Sequence, residues 1–138
     1  MKVVLDSNVL FRTLISGGEI IRLIFNKNLE LFTPQKIKEE FLNNRKEILS
    51  RSKISELGFN KLISSIFKIV KLVPSYEYKE FIPKSKELLK KHVKDVEFVA
   101  LALKLNCLIW TYEKLIFDKN LGISTKQISN ELNKLDSK

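Results

Sequence analysis

The sequence predicts an α/β fold in which helices cover both faces of a mainly parallel sheet, giving three α/β/α layers. Short runs of consecutive apolar residues recur along the chain, as expected of strands that are buried on both faces. Longer segments between them carry apolar residues at helical spacing. Strands that alternate with helices favour parallel pairing, because each parallel pair needs a crossover. The length of 138 residues predicts one domain over residues 1–138.

The N-terminal third begins with a predicted strand, and helices and a second strand are predicted after it. Residues 3–5 are apolar and form the first strand, which ends at Asp6 in a buried turn toward a helix. After the Gly17-Gly18 break, apolar residues at helical spacing predict a helix near residues 20–25. Residues 29–33 predict the second strand, and Pro34 suits the start of the next helix, which carries Glu40 beside its apolar stripe.

The middle of the chain is less regular. Residues 53–72 predict one or two helices with a break at Gly58, although residues 70–73 also fit a strand running into Pro74. Residues 75–83 predict a surface crossing, and residues 84–91 a short basic helix.

The C-terminal third begins with a helix that follows Asp95 and is apolar on nearly all sides, so we expect it to be deeply packed. Residues 107–110 predict a buried strand, residues 121–124 a short edge strand, and residues 126–135 the last helix.

The amino-acid composition favours some classes of binding partner and argues against some kinds of catalytic site. The net charge of +9 favours a polyanion such as nucleic acid, although a lysine-rich surface alone has other origins. A single cysteine, Cys107, and a single histidine, His92, leave no set for zinc and no evident catalytic triad. We expect a cytoplasmic protein, because the sequence shows neither a membrane span nor a secretory signal.

Four acids attract attention by their positions. Asp6 ends the first strand and Glu113 follows the strand at residues 107–110, so parallel strands would bring both to one rim of the sheet. Glu40 and Asp95 lie on flanking helices that can reach the same rim. A four-carboxylate cluster there would need a cation, and Mg²⁺ and Mn²⁺ prefer oxygen ligands.

Three of these acids also have ordinary structural interpretations. Asp95 fits a helix N-cap, Glu40 a solvated helix charge, and Glu113 a loop ion pair with Lys114. Asp6 is harder to explain in this way, because the polar residues after it fall within a turn that should be buried.

Four motifs together resemble the PIN-domain nucleases across nearly the whole chain: LDSNVLF, PQKIKEEF, KDVEFVALAL and IWTYEKL. The resemblance implies a parallel-sheet α/β/α fold and a Mg²⁺- or Mn²⁺-dependent ribonuclease, most often an endoribonuclease. By position it implies four catalytic acids, three of them also metal ligands, and two supporting residues. The catalytic set is Asp6, Glu40, Asp95 and Glu113; the ligands are Asp6, Asp95 and Glu113; the supporting residues are Asn8 and Thr111.

This chain departs from the family at Glu113, where Asp is usual, and the longer side chain puts its role as a direct ligand in doubt. Glu97 is a further candidate for the pocket, although a charge favoured by the helix dipole fits it equally well.

The resemblance also bears on partners. Many small members are toxins restrained by an antitoxin protein, others process RNA, and dimers are common. Candidate RNA contacts lie in the basic segment ahead of Asp95, where a solvated helix face is the competing interpretation: Lys84, Lys86, Lys90, Lys91 and Lys94.

Two other functions remain open. A non-catalytic RNA-binding or partner-binding module could keep the same fold. The segment from Asp6 also resembles the nucleophile loop of haloacid-dehalogenase-type phosphatases, but Asn8 stands where that loop carries a second Asp, and the chain is short for that fold.

Overall fold

The computed structural model describes residues 1–137, which contain five strands and eight α-helices. The strands are β1 (Lys2–Leu5), β2 (Glu30–Pro34), β3 (Lys71–Val73), β4 (Leu108–Trp110) and β5 (Gly122–Ile123). The helices are α1 (Ser7–Ser16), α2 (Glu19–Ile24), α3 (Ile37–Arg51), α4 (Glu56–Ile69), α5 (Ile82–Leu89), α6 (Val96–Leu105), α7 (Lys114–Asp118) and α8 (Thr125–Asp136).

All five strands are parallel and form one sheet in the order β3-β2-β1-β4-β5. Helices cover both faces, which confirms the predicted three-layer α/β/α fold. The connections from β1 run toward β2 and β3 on one side, while β4 and β5 lie on the other. The boundary between β1 and β4 is therefore the topological switch point, where open parallel sheets usually carry their ligand sites.

The core follows from the apolar strands and from the predicted apolar helix. Residues Val3, Val4 and Leu5 of β1 are almost wholly buried. Helix α6 packs against β1, β2 and β4, and every residue from Phe98 to Ala102 is buried. Burial of this helix on several sides explains why its sequence lacks a polar face.

Three predicted boundaries near prolines and a glycine are wrong. Pro34 ends β2 beside Val73, and the Gln35 N–H donates to the Val73 carbonyl, so α3 begins only at Ile37. Pro83 lies in the first turn of α5, which begins before the predicted residue 84. Gly58 does not break α4, because it lies in the first turn and its N–H donates to the Ser55 side chain.

One segment that was predicted to lie at the surface contains a buried residue, and one short helix was not predicted. Residues 75–81 form two short 3₁₀ turns before α5 and lie at the surface as predicted, except for Tyr78, which is buried. Helix α7 was not predicted. The alternative of a strand near residues 70–73 is confirmed as β3, and the short strand near residues 121–124 as the edge strand β5. No helix within residues 1–137 combines the length and apolar character needed to cross a membrane.

Candidate active site

Asp6 lies at the switch point of the sheet, directly after β1. Its backbone N–H donates to the Trp110 carbonyl at 3.1 Å, which ties the end of β1 to the end of β4. The side chain is only 2% exposed. Although Asp6 occupies the N-cap position of α1, its carboxylate makes no capping hydrogen bond. The carboxylate therefore has a role other than capping.

Thr111, the first residue after β4, holds the Asp6 carboxylate. Its hydroxyl donates to Asp6 Oδ2 at 2.7 Å and accepts from the Glu113 backbone N–H at 3.0 Å. Thr111 is fully buried, and its bond to Asp6 forms away from solvent. One hydroxyl thus fixes the Asp6 carboxylate and the loop that carries Glu113.

Asn8 connects the first turn of α1 to the same loop. Its side-chain amide donates to Glu113 Oε1 at 3.0 Å, and Lys94 Nζ lies 4.0 Å from the same oxygen. The Glu113 carboxylate is therefore held between an amide and an ammonium group.

Asp95 ends a 3₁₀ turn, Val93–Asp95, immediately before α6. It is 6% exposed and occupies the N-cap position of α6, but its side chain makes no capping hydrogen bond. Asp95 and Asp6 both line a cleft of about 530 Å³. The acidic cleft, as we call it, has polar and charged walls with one aromatic residue: Asp6, Ser7, Asn8, Phe11, Lys36, Glu39, Glu40, Asn43, Asn44, Lys94 and Asp95.

Burial and mutual repulsion make these carboxyl groups hard to ionise. Burial raises the pKa of Asp6 to about 6; the Thr111 hydrogen bond opposes the rise, and the charges of Asp95 and Glu113 add to it. Burial also raises the pKa of Asp95, with Glu113 adding to the rise and nearby cations, Lys94 first, opposing it. Three acids therefore interact electrostatically at this rim.

Glu40 lies in the first turn of α3, on the wall of the acidic cleft. Its Oε1 atom is buried and has no hydrogen-bond partner within residues 1–137. Lys36 Nζ is 3.8 Å from this oxygen, which is an ion-pair contact too long for a hydrogen bond. A buried carboxylate oxygen without a hydrogen bond is costly, so this atom is a candidate ligand for a cation or a water molecule.

The four predicted acids do not form one ligand cluster. Glu113 lines a neighbouring cleft of about 370 Å³, which shares Lys94 and Asp95 with the acidic cleft. In the part of the chain that the structure describes, no group of three or more Asp, Glu, His or Cys side chains is arranged to hold a metal ion. The expected four-carboxylate cluster is thus not seen, because Glu113 pairs with Asn8 and Lys94 and Glu40 pairs with Lys36.

The donor chemistry nevertheless fits a hard divalent cation. Asp6 and Asp95 offer carboxylate oxygens at the acidic cleft, and Glu40 adds one that lacks a hydrogen bond. The pKa values of both aspartates are raised mainly by burial and further by neighbouring acids, so a bound cation would favour their ionised forms. Mg²⁺ and Mn²⁺ prefer such oxygen ligands and retain coordinated water.

Lys36 is the site residue that the sequence reasoning missed. Its ammonium group lies 3.3 Å from Glu97 Oε2, donates to the Lys94 carbonyl at 3.2 Å, and sits over the Phe98 ring. The spacing of Lys36 and Glu40 on one helix turn was the available signal. Glu97 also accepts from the Tyr78 hydroxyl, and it does not line the acidic cleft.

Of the predicted RNA-contact lysines, Lys91 and Lys94 line clefts at the site. Lys90 and Lys91 are exposed at the end of α5, and Lys94 lines both clefts. His92 is exposed and adds a further polar group to the cleft of Glu113.

A family model described as PIN domain matches residues 4–135, which is nearly the whole chain. A search of curated proteins finds no match.

Proposed function

This chain belongs to the PIN-domain family, whose fold is that of nucleases, and we propose that it is a divalent-metal-dependent ribonuclease. The observation that carries the proposal is the buried Asp6 carboxylate at the switch point of the sheet, which makes no capping hydrogen bond to α1. It faces the acidic cleft together with Asp95 and Glu40.

PIN domains generally depend on a divalent metal, and we propose Mg²⁺ or Mn²⁺ here. Asp6 and Asp95 are the proposed ligands. Glu113 is the proposed third, either binding the metal itself or acting through the residues to which it is hydrogen-bonded. When bound, the metal would lower the pKa of a coordinated water and offset negative charge on the phosphate.

The surrounding residues would prepare this site. Thr111 fixes the rotamer of Asp6 through its 2.7 Å hydrogen bond, and Asn8 holds Glu113. Glu40 has a carboxylate oxygen free to accept a proton from the attacking water. Lys36 and Lys94, on the walls of the cleft, would offset the charge of the scissile phosphate.

RNA is the proposed substrate. The net charge of +9 supports a polyanion, and the exposed Lys90 and Lys91 lie close in the chain to Lys94 at the cleft. An open cleft on a surface rim suits cleavage within a strand, so we propose endonucleolytic action.

The direct test is cleavage of labelled single-stranded RNA with Mn²⁺, Mg²⁺ or EDTA. We expect metal-dependent cleavage by the wild type and a loss of at least about a hundredfold in Asp6→Asn. Asp118→Asn, the same change at an exposed position on α7, is the matched control and should cleave normally. Equal cleavage by Asp6→Asn and wild type would refute the assignment.

A non-catalytic RNA-binding module is the second candidate. The observation that favours it is Glu113, whose carboxylate is paired with Asn8 and Lys94 and lines a cleft that does not include Glu40. This candidate predicts salt-dependent RNA binding with no cleavage by any divalent ion. The phosphatase alternative predicts hydrolysis of a small phosphoester that Asp6→Asn abolishes, with RNA left intact.

A toxin role, an antitoxin partner and a homodimer rest on the resemblance to small family members. Growth arrest on expression, relieved by the product of an adjacent gene, would test the toxin role. Light scattering of the purified chain would test the dimer.

A further inference from the structure

A third cleft, distinct from the cleft of Glu113, adjoins the acidic cleft on the side of α1. Its volume is about 310 Å³, at the lower end of the range for small-ligand sites. Asn8 and Phe11 line both clefts, so the two are continuous along α1. The remaining walls come from the end of α1, the end of α3 and the loop after β4: Arg12, Ile15, Ser16, Arg51 and Tyr112.

Two arginines and a tyrosine determine which ligands this third cleft can bind. The Arg12 guanidinium lies 4.3 Å from the centre of the Tyr112 ring, which is a close cation–π contact. The Tyr112 hydroxyl lies 3.4 Å from Thr125 Oγ1 at the start of α8, so the ring is contacted on its face by Arg12 and at its hydroxyl by Thr125. We call Arg12, Arg51 and Tyr112 the Arg–Tyr shelf.

The two arginines are electrostatically available. Neither Arg12 nor Arg51 has a carboxylate within 4 Å among residues 1–137, whereas many of the lysines and Arg45 do. Both side chains are exposed. Uncompensated guanidinium groups beside an exposed aromatic ring are typical of surfaces that bind single-stranded nucleic acid, where phosphates meet arginine and bases stack on rings.

Tyr112 and Glu113 are adjacent in sequence yet line different clefts. Tyr112 lines the shelf side, while Glu113 lines the cleft that contains Lys91, His92 and Lys94. The acidic cleft lies between these two surfaces and shares residues with each. A strand that leaves the lysine side and crosses the acidic cleft therefore reaches the shelf next.

We propose that the Arg–Tyr shelf binds the nucleotide that flanks the scissile phosphate on the α1 side, with its base stacked on the Arg12–Tyr112 pair and a phosphate on Arg51. This inference rests on the proposed ribonuclease function. The ligand is single-stranded RNA, because a base in a duplex cannot expose its face to the shelf. The shelf would thus select unpaired RNA.

The test is binding of a labelled 12-nucleotide single-stranded RNA in EDTA, measured by fluorescence anisotropy. Tyr112→Leu should weaken binding by about fivefold or more, whereas Tyr112→Phe, which retains the ring, should bind within about twofold of the wild type. Tyr76→Leu, a change at the most exposed tyrosine, is the matched control and should not alter binding. Thermal unfolding checks that each variant is folded.

An abasic scan locates the stacked base. Removing one base at a time from the RNA should weaken wild-type binding at one position next to the cleavage site, and Tyr112→Leu should abolish that position's effect. Arg51→Gln, which would lose the proposed phosphate contact, should lower the salt slope by about 0.7.

These experiments distinguish a failure of the shelf inference from a failure of the proposed ribonuclease function. If the wild type binds and cleaves RNA but Tyr112→Leu binds equally well, the shelf inference is overturned and the ribonuclease stands. Equal affinity for a duplex of the same sequence would also overturn the shelf. If the wild type neither binds nor cleaves RNA, the proposed function fails and the shelf inference fails with it.

Discussion

At the scale of single residues, Asp6 lowers the stability of the metal-free fold. Its pKa is raised from 3.8 to about 6, so the folded state holds this proton more tightly than the unfolded chain between those pH values. The free energy of unfolding should therefore fall as the pH rises from about 4 to 6 and stay lower above that.

Asp6→Asn should remove this cost, because an amide can still accept the Thr111 hydrogen bond. In EDTA at pH 8 we expect the variant to unfold with a free energy up to about 3 kcal/mol higher than the wild type. The difference should shrink toward zero near pH 4. Urea denaturation at both pH values measures it, and a variant less stable than the wild type at pH 8 would contradict the account.

Thr111 should control how easily Asp6 ionises. Thr111→Val removes the hydroxyl that donates to Asp6 Oδ2, so the pKa of Asp6 should rise further above 6 in the metal-free protein. Thr111→Ser keeps the hydroxyl and should leave this pKa near the wild-type value. Carboxyl carbon NMR titration in EDTA gives the comparison. An unchanged pKa in Thr111→Val would show that the bond does not hold the carboxylate.

The sequence was most informative where position alone defines the role. Asp6 follows a buried strand directly, so its place at the rim was predictable from the strand pattern. The partners of Glu40 and Glu113 were not, because their long side chains take orientations set by Lys36, Asn8 and Lys94. Asn8 and Lys94 lie on other elements, and the one-turn spacing of Lys36 and Glu40 does not by itself fix which way the Glu40 carboxylate points.

At the scale of elements, α7 offers a test of packing near the site. A Cβ atom added to Gly122 in β5 would lie 2.9 to 3.0 Å from three atoms of the Phe117 ring on α7. Gly122→Ala should therefore lower the free energy of unfolding by about 1 to 3 kcal/mol. Phe117→Leu in the same chain should recover part of the loss. Additive losses in the double variant would show that the two residues do not meet.

The regular elements were predicted because their patterns are strong. The apolar strands β1 and β4 and the apolar helix α6 follow directly from their sequences. Helix α7 was missed because it spans only five residues, too few to establish a period. Pro34 misled the boundary of α3, because the end of a strand accepts a residue without an N–H as readily as a first helical turn does.

At the scale of the whole molecule, the strand order could not be predicted from periodicity, which does not specify neighbours. The order places β1 beside β4 and so brings Asp6 to Thr111 across a sequence separation of 105 residues. The site therefore depends on the topology of the complete sheet.

RNA binding should depend on where the positive charges lie and not only on the net charge. Neutralising Lys90 and Lys91 to Gln should weaken RNA binding and reduce the salt slope by about 0.7 for each RNA phosphate that these lysines neutralise in the wild type. The matched control changes Lys61 and Lys68, two exposed lysines on α4 that line none of the three clefts discussed above. Equal effects of the two pairs would mean that only total charge matters.

The carboxylates of the acidic cleft should bind a divalent cation together. Calorimetric titration of the metal-free chain with Mn²⁺ tests it most directly, with Asp6→Asn, Asp95→Asn and the control Asp118→Asn measured alongside. We predict saturable binding by the wild type and by Asp118→Asn, a matching rise in melting temperature, and a loss of most affinity in the two cleft variants. Mn²⁺ binding of equal affinity in all four proteins would place the cation elsewhere and contradict the account.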